Sequence, residues 1–548
     1  MPSRHPAPYW PADIPRALEL PERTVDANLE ITAERSGDTV AIIYQGREVR
    51  YAELWQKVLA LAGYLQQRAG VKKGDRVLLY MQNSPQWIIS YYAILRAGAV
   101  VVPVNPMNRT GELEYLLSDT GGSVMVIGQE LAGQVQPLLE SGQIGHVISA
   151  AYAEMGDPDF DCPLPDPLPM LKESDLTGPG ICGFAKAIQF GETPRARETG
   201  PDDLAVIPYS SGTTGQPKGC MHTHRTVMVT IVGGIIWNPA VAHTVNLATL
   251  PFFHVTGMQS SMNQPIYQGG TIIILTRWNC VHASRLIERY RVNRWASIST
   301  MMIDLLNNPE TEAYDLSSLD KIGGGGAAMP DAIAKKLRVR IGRPYIEGYG
   351  LSETIAGTHI NPVDAPRDQC LGVPVFGVDA RVVEPGGTKE LDLNVPGEII
   401  MSAPQVFKGY WGKPEATAEA FVEIDGKSFF RTGDIAYRDE SGFFYMVDRL
   451  KRMVNISGYK VWPAEVEMLM LKNKAVAEAC VVPGRDERRG EFVKAFVVRA
   501  KSAPSADSDS IIAWCRKEMA AYKCPSEVVF IDQLPRSGAG KVLWRELI

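Results

Sequence analysis

The stretch Tyr209-Ser210-Ser211-Gly212-Thr213-Thr214-Gly215-Gln216-Pro217-Lys218-Gly219 concentrates hydroxyl side chains, glycines and one lysine. Glycines let backbone N–H groups converge on an anion, while hydroxyls and an ammonium add donors and positive charge, so this composition suits a phosphate grip. A solvated Gly/Ser/Thr turn has the same composition. The Walker A pattern G-x-x-x-x-G-K-[ST] does not fit, because Pro217 stands in its second glycine slot and Gly219 in its hydroxyl slot. A second run, Gly323-Gly324-Gly325-Gly326, reads as following a short strand and offers side-chain-free backbone that a flat ring or a phosphate can approach. Three further residues carry charge close after a glycine: Glu353 three positions after Gly350, Asp434 directly after Gly433 and Lys541 directly after Gly540. Alone, each has an ordinary explanation as a solvated carboxylate, a turn former or an exposed lysine. His254, between aromatic and apolar neighbours, reads on its own as a packed core residue.

Order and wording together say more. Residues 209–219 resemble the core motif of the adenylate-forming enzymes, [YF]-[ST]-S-G-[ST]-T-G-x-P-K-G. Gly325-Gly326-Ala327 onward is similar to the family's G-G-A-P-L-P segment, and Tyr349-Gly350-Leu351-Ser352-Glu353 to its Y-G-x-T-E, with Ser352 keeping the hydroxyl of the commoner threonine. Lys408-Gly409-Tyr410-Trp411, Thr432-Gly433-Asp434, Asp448-Arg449-Leu450-Lys451-Arg452 and Pro535-Arg536-Ser537-Gly538-Ala539-Gly540-Lys541 follow in the family's order. The resemblance covers nearly the whole chain, and the wording around Gly458-Tyr459-Lys460-Val461-Trp462 is most similar to fatty-acid–CoA ligases.

The resemblance implies an AMP-forming acyl-CoA synthetase using ATP, Mg²⁺ and coenzyme A. It makes Ser210, Ser211, Gly212, Thr213, Thr214, Gly215 and Lys218 the grip on the phosphates. It places adenine against Gly325, Gly326, Ala327 and Tyr349, with Gly350 in the same segment, and the α-phosphate on Ser352. Glu353 becomes the magnesium ligand, Asp434 the acceptor of both ribose hydroxyls, and Arg449 the completion of the nucleotide site. Thr213, Lys218, Glu353 and Lys541 become the catalytic set. His254, Met258 and Gly348 fall at the acyl pocket, Gly458, Tyr459 and Arg489 at coenzyme A, and Lys451 at a hinge between the two half-reactions. A medium- to long-chain fatty acid is the expected acid, with aryl and dicarboxylic acids as alternatives. Phe253-His254 stands where amino-acid-activating relatives have an aspartate, and with the sequence ending at Ile548 no fused carrier domain is expected. Luciferase-like oxygen chemistry and a non-catalytic acyl- or nucleotide-binding protein are the other readings. Homodimers are common in such a family.

Positioning these segments takes alternating strands and helices. Val40–Tyr44 reads as a strand, Gln45-Gly46 as a turn, and the stretch from about Ala52 as a helix in which Leu54, Trp55, Val58, Leu59, Ala62 and Leu65 mark a buried face. Strands at 76–80 and 99–104 flank a helix from about Ser84. This alternation predicts an α/β protein with mainly parallel, helix-covered sheets. Leu204–Ile207 should be a strand feeding the phosphate loop, and residues 157–201 an irregular, Pro/Asp/Gly-rich excursion. The charged stretch 448–452 reads as exposed and suits a domain boundary, so the expected organisation is a large domain over 1–447, a hinge at 448–452 and a small α/β domain over 453–548.

At 548 residues with 45% hydrophobic and 22% charged side chains, the chain can bury a large core and more than one domain. A net charge of −6 gives no general attraction to nucleic acid or anionic lipid. Eight scattered cysteines without a C-x-x-C pair suit reduced thiols in the cytoplasm, His222-x-His224 reads as structural, and the N-terminus lacks an apolar signal core. The most apolar long stretch, 87–104, is broken by Arg96 and Gly98, so no transmembrane segment is expected.

Overall fold

The computed structural model describes residues 8–162, 178–210, 216–240, 243–326, 328–456, 459–486, 490–536 and 542–548. The chain divides into two compact units: one comprises Tyr9–Asp379 with Ser402–Glu419, the other Met1–Pro8, Ala380–Met401 and Ala420–Ile548.

The larger unit is built on two sheets. In the first, strands run in the order His222–Thr223, Leu204–Val206, Val100–Val104, Arg76–Tyr80, Val124–Gly128, His146–Ala150 and Ile181–Gly183. All neighbours are parallel except His222–Thr223, which pairs antiparallel with Leu204–Val206. Parallel strands buried on both faces need near-continuous apolar runs, and Val100–Val104 and Val124–Gly128 are buried throughout. The second sheet has nine strands, with Val40–Tyr44, Thr271–Ile274, Val245–Ala248, Arg294–Ser297, Lys321–Gly325 and Tyr345–Leu351 parallel at its centre. The Gln45-Gly46 turn has φ of 46° and 78°, so the chain folds straight back into Arg47–Arg50. The helix Tyr51–Gln67 buries Leu54, Trp55, Val58, Ala62 and Leu65, and Leu59 is half-buried at the edge of that face.

Three expectations change. The 157–201 region is not wholly irregular: Ile181–Gly183 joins the seven-stranded sheet as its edge strand, and the helix Phe184–Gln189 follows. The glycine run does not follow a strand but forms its end, Lys321–Gly325. The 448–452 stretch is not uniformly exposed: Asp448 is buried at 3% exposure and the Arg452 side chain retains 15%, while that of Arg449 retains 40%.

The second unit carries a five-stranded antiparallel sheet from Asp379–Val383, Gly397–Ser402, Phe421–Ile424, Lys427–Arg438 and Phe444–Arg449. A hairpin of Val454–Ile456 and Tyr459–Val461, the helix Pro463–Met470, a three-stranded sheet of Val476–Asp486, Gly490–Arg499 and Glu527–Phe530, and the helix Ser508–Glu518 complete it. Proline at the start of Pro463–Met470 suits a position whose N–H has no helical partner. Among the described residues no helix is long and apolar enough to cross a membrane.

Candidate active site

The phosphate loop does not simply leave the end of a parallel strand. Tyr209–Ser210 pairs antiparallel with Lys218–Gly219, Ser210 opposite Lys218 and Tyr209 opposite Gly219, so the loop is the tip of a hairpin. Ser211, Gly212, Thr213, Thr214 and Gly215 at that tip lie outside the described residues. The stem is tied down from several directions. The Tyr115 hydroxyl donates to the Pro217 carbonyl at 2.7 Å, and the Tyr209 hydroxyl donates to Asp119 Oδ2 at 2.6 Å. Burial, reinforced by Asp119, pushes the Tyr209 hydroxyl far above the usual phenol range, so it stays a donor.

A strap over Ser402–Glu419 runs along this hairpin. Its backbone exchanges hydrogen bonds with the chain after the loop: Met221 N to Gly409 O at 3.0 Å, Lys408 N to Met221 O at 2.9 Å and Trp411 N to Gly219 O at 2.8 Å. Tyr410 faces two charged residues. Its hydroxyl donates to Glu353 Oε1 at 2.9 Å, and Lys218 Nζ lies 4.8 Å from its ring centroid. Burial, with the adjoining Glu353 carboxylate, raises the Tyr410 hydroxyl well above its ordinary value.

Glu353 itself sits in a single helical turn, Ser352–Thr354, directly after the strand Tyr345–Leu351. The Thr354 hydroxyl donates to Ala356 O at 2.7 Å and accepts from Leu351 N at 2.9 Å, and Phe407 N donates to Glu353 O at 2.8 Å, which fixes the turn. His222 Nε2 lies 2.8 Å from Ser352 O; burial lowers this imidazole to about 4, so it is neutral and serves as a backbone prop. His224 is likewise buried and neutral, accepting from Val25 N at 3.1 Å, which bears out a structural role for the pair. Gly350 is required by packing, since a Cβ there would lie 1.8 Å from Ala356 O. Gly326 has φ of 92°, a conformation that favours glycine, with open space around the missing Cβ. Gly325 and Gly348 face each other in register across adjacent strands, and the half-buried Tyr349 ring packs edge-on to His359 at 5.6 Å. Ala327 lies outside the described residues.

His254 is half-buried and its Nδ1 accepts from Thr256 N at 3.3 Å. The following Gly257–Asn263 forms a wide, π-type helical turn in which Met258 is fully buried. Sequence periodicity does not signal such a turn, which interrupts the 3.6-residue repeat.

In the second unit Asp434 and Arg449 stand opposite each other on neighbouring strands, with Arg449 Nε 3.1 Å from Asp434 Oδ1. Thr432 Oγ1 accepts from Asp434 N at 3.0 Å and donates to Ile399 O at 2.7 Å, so the T-G-D segment is held by its own hydroxyl. Lys451 lies in the turn Leu450–Arg452, and Tyr459 begins the strand Tyr459–Val461. Gly458, Arg489 and Lys541 lie outside the described residues.

Among the described residues no three His, Cys, Asp or Glu side chains converge into a metal cluster. One oriented carboxylate, Glu353, near a lysine-bearing phosphate hairpin is nonetheless a donor set that magnesium accepts, because it takes one or two carboxylates and completes its shell with phosphate oxygens and water. The residues missed by sequence reading are those that hold others: Asp119 and Tyr410. Tyr410 lies in a recognisable segment, but nothing in its spacing reveals a partner 57 positions away.

Known proteins resemble this chain over most of its length. Residues 29–411 match the family model of the AMP-binding enzymes, and residues 465–541 match that of the AMP-binding enzyme C-terminal domain. A long-chain-fatty-acid–CoA ligase of Bacillus subtilis is 35% identical over 98% of this chain and 96% of its own. A feruloyl-CoA synthase of an Amycolatopsis species is 34% identical over 94% of this chain and 96% of its own. The crystal structure of ATP-bound MatB from Rhodopseudomonas palustris superposes with a TM-score of 0.83 at 27% identity, covering 96% of this chain and 98% of the other.

Proposed function

The chain belongs to the AMP-binding enzyme family, and on that premise we propose that it joins a carboxylic acid to coenzyme A, using ATP, through an acyl-adenylate and with release of pyrophosphate. The observation that carries the reading is the pairing of Glu353 with the Lys218 hairpin through one tyrosine, which gathers a metal-ready carboxylate and a phosphate-ready ammonium in one place.

A carboxylate does not acylate a thiol at a useful rate, since its carbonyl is electron-rich and oxide is a poor leaving group. Adenylation removes both obstacles. The acid's oxygen attacks the α-phosphorus and pyrophosphate departs; the thiol then attacks the acyl carbon and AMP departs. Magnesium, when bound at Glu353, would supply Lewis-acid charge to the phosphate oxygens. Lys218, Ser210 and the tip residues Ser211, Gly212, Thr213, Thr214 and Gly215 hold the phosphates, and Ser352 takes the α-phosphate. Gly325, Gly326, Ala327, Tyr349 and Gly350 receive adenine, Asp434 accepts from the ribose hydroxyls, and Arg449 orients Asp434. Lys541 neutralises charge on the transferring group during adenylation. These are electrostatic and positioning tasks, in keeping with phosphoryl-type chemistry. His254, Met258 and Gly348 border the acid, while Gly458, Tyr459 and Arg489 meet coenzyme A after a rotation about Lys451 between segments 1–447 and 453–548.

A medium- to long-chain fatty acid is the proposed substrate, supported by the name of the Bacillus relative. The feruloyl-CoA synthase relative favours an aryl acid as the second reading. The protein is proposed to act in the cytoplasm, with a homodimer as a possible assembly. Pyrophosphate release with ATP, Mg²⁺ and a panel of fatty, aryl and dicarboxylic acids, followed by thiol consumption on adding coenzyme A, tests the reading. Silence across the panel would leave a non-catalytic acyl- or nucleotide-binding role in its place.

A further inference from the structure

Tyr410 touches both charged members of the phosphate site, and the chain has invested an unusual number of contacts in holding it there. Its hydroxyl donates to Glu353 Oε1 at 2.9 Å, and its ring lies 4.8 Å beneath Lys218 Nζ. Its backbone N–H donates to Thr417 Oγ1 at 2.9 Å, and the Phe407 ring packs edge-on against it at 4.8 Å. The residues on either side are pinned as well. Trp411 N donates to Gly219 O and Phe407 N to Glu353 O, each at 2.8 Å, so one short strap is bonded at once to the lysine hairpin and to the carboxylate turn. Further along, Lys413 Nζ reaches Asp119 Oδ1 at 2.8 Å, while the other oxygen of that carboxylate accepts from Tyr209 at the hairpin's base.

Lys218 and Glu353 carry opposite charges on separate elements, and Tyr410 contacts both. A direct ion pair would use up both the ammonium meant for phosphate and the carboxylate meant for metal. The Tyr410 ring gives the lysine a face to rest on through cation–π attraction, and its phenol gives the carboxylate a donor. We propose that Tyr410 is a positioning residue that keeps Lys218 and Glu353 apart and oriented, presetting the carboxylate for a divalent cation that arrives with the nucleotide. The proposal rests on the role given to Glu353 in the proposed function.

Two substitutions separate the tyrosine's two contacts. Tyr410→Phe keeps the ring under Lys218 and removes the hydroxyl; Tyr410→Leu removes both. The affinity of each full-length protein for α,β-methylene-ATP is measured by calorimetry with excess Mn²⁺ and again with EDTA, and the ratio of the two is the metal-dependent gain. Tyr410→Phe should match the wild type in EDTA and melt slightly lower for the lost hydrogen bond, while its metal-dependent gain falls about tenfold, the size of one hydrogen bond to a charged group. Tyr410→Leu should lose affinity in EDTA as well. A Tyr410→Phe protein with the wild-type gain would overturn the proposal. So would one whose affinity in EDTA and melting temperature fall together with the gain, because that marks a general loosening of the fold. Binding of the analogue requires no turnover, so an enzyme that fails the pyrophosphate assay can still pass this one, and the two readings fail separately.

Discussion

Glu347 lies six residues before Glu353 and shows how differently one short segment treats two carboxylates. It is 5% exposed, and its Oε1 accepts from Gln369 N at 2.9 Å and Met329 N at 3.4 Å. Burial nevertheless dominates and raises its carboxyl from 4.5 to about 7. The unfolded chain therefore releases this proton near pH 4.5 and the folded chain near pH 7, so between those values the folded state binds more protons and stability falls as pH rises. Its contribution is fully favourable below about pH 4.5 and lost above about pH 7, a swing of about 3 kcal/mol at 1.36 kcal/mol per unit. Glu347→Gln keeps an acceptor for both N–H groups and removes the ionisation. Its melting temperature relative to wild type should rise between pH 5 and pH 7.5; a constant difference across that range would contradict the raised carboxyl. No pattern in Tyr345-Ile346-Glu347-Gly348 separates this residue from an exposed glutamate. Its environment is assembled from Met329 and Gln369, on other parts of the chain.

Elements tell the same story through their ends. The helix Pro85–Arg96 starts where Ser84, fully buried, accepts from Trp87 N at 3.2 Å. Ser-Pro before an apolar run is a legible start signal. Ser84→Ala should cost about 1 kcal/mol, seen as a lower melting temperature with unchanged nucleotide affinity. The turn around Lys451 was less legible. Asp448 Oδ2 accepts from Ala464 N at 2.6 Å, supplying the helix Pro463–Met470 with an acceptor that its own preceding residue, Trp462, lacks. Arg452 pairs with Glu467 on that helix and donates to Val481 O. Removing one partner of a buried pair leaves an uncompensated charge, so Arg452→Met should destabilise by about 3 kcal/mol, and adding Glu467→Leu should restore part of it, since Asp448 loses Arg452 and Val481 N loses its acceptor. If the double variant melts no higher than the single, the pair is not what holds this turn. A run of five residues with four charges looks solvated in one dimension because its partners, Ala464 and Glu467, follow only after the chain has turned.

On the scale of the whole molecule, the residues proposed for adenylation are divided between two compact units, Lys218 and Glu353 in one, Asp434, Arg449 and Lys541 in the other. A role confined to one half-reaction is the signature expected of a residue that is present for only part of the cycle. Lys541→Ala should abolish pyrophosphate release from ATP and acid yet still convert supplied acyl-adenylate and coenzyme A to thioester. Equal loss of both activities would remove Lys541 from its assigned place. Proline at position 451 should do the reverse, sparing adenylation and slowing thioester formation, because it restricts the backbone torsion about which rotation is proposed.

The sequence by itself determined the family, the order of the motifs and the alternating α/β pattern, because these depend on residue types at short spacing: glycines and hydroxyls around Lys218, apolar runs at Val100–Val104, proline at a helix start. Tertiary structure alone decided that Tyr209–Ser210 pairs with Lys218–Gly219 across the phosphate loop, that the glycine run is the end of a strand, that Ile181–Gly183 joins a sheet, and that Tyr410 touches both Lys218 and Glu353. The physical reason is the same in each case. Pairing across a sheet and contact between side chains join residues tens to hundreds of positions apart, and the local pattern around either partner is unchanged by whether the other arrives.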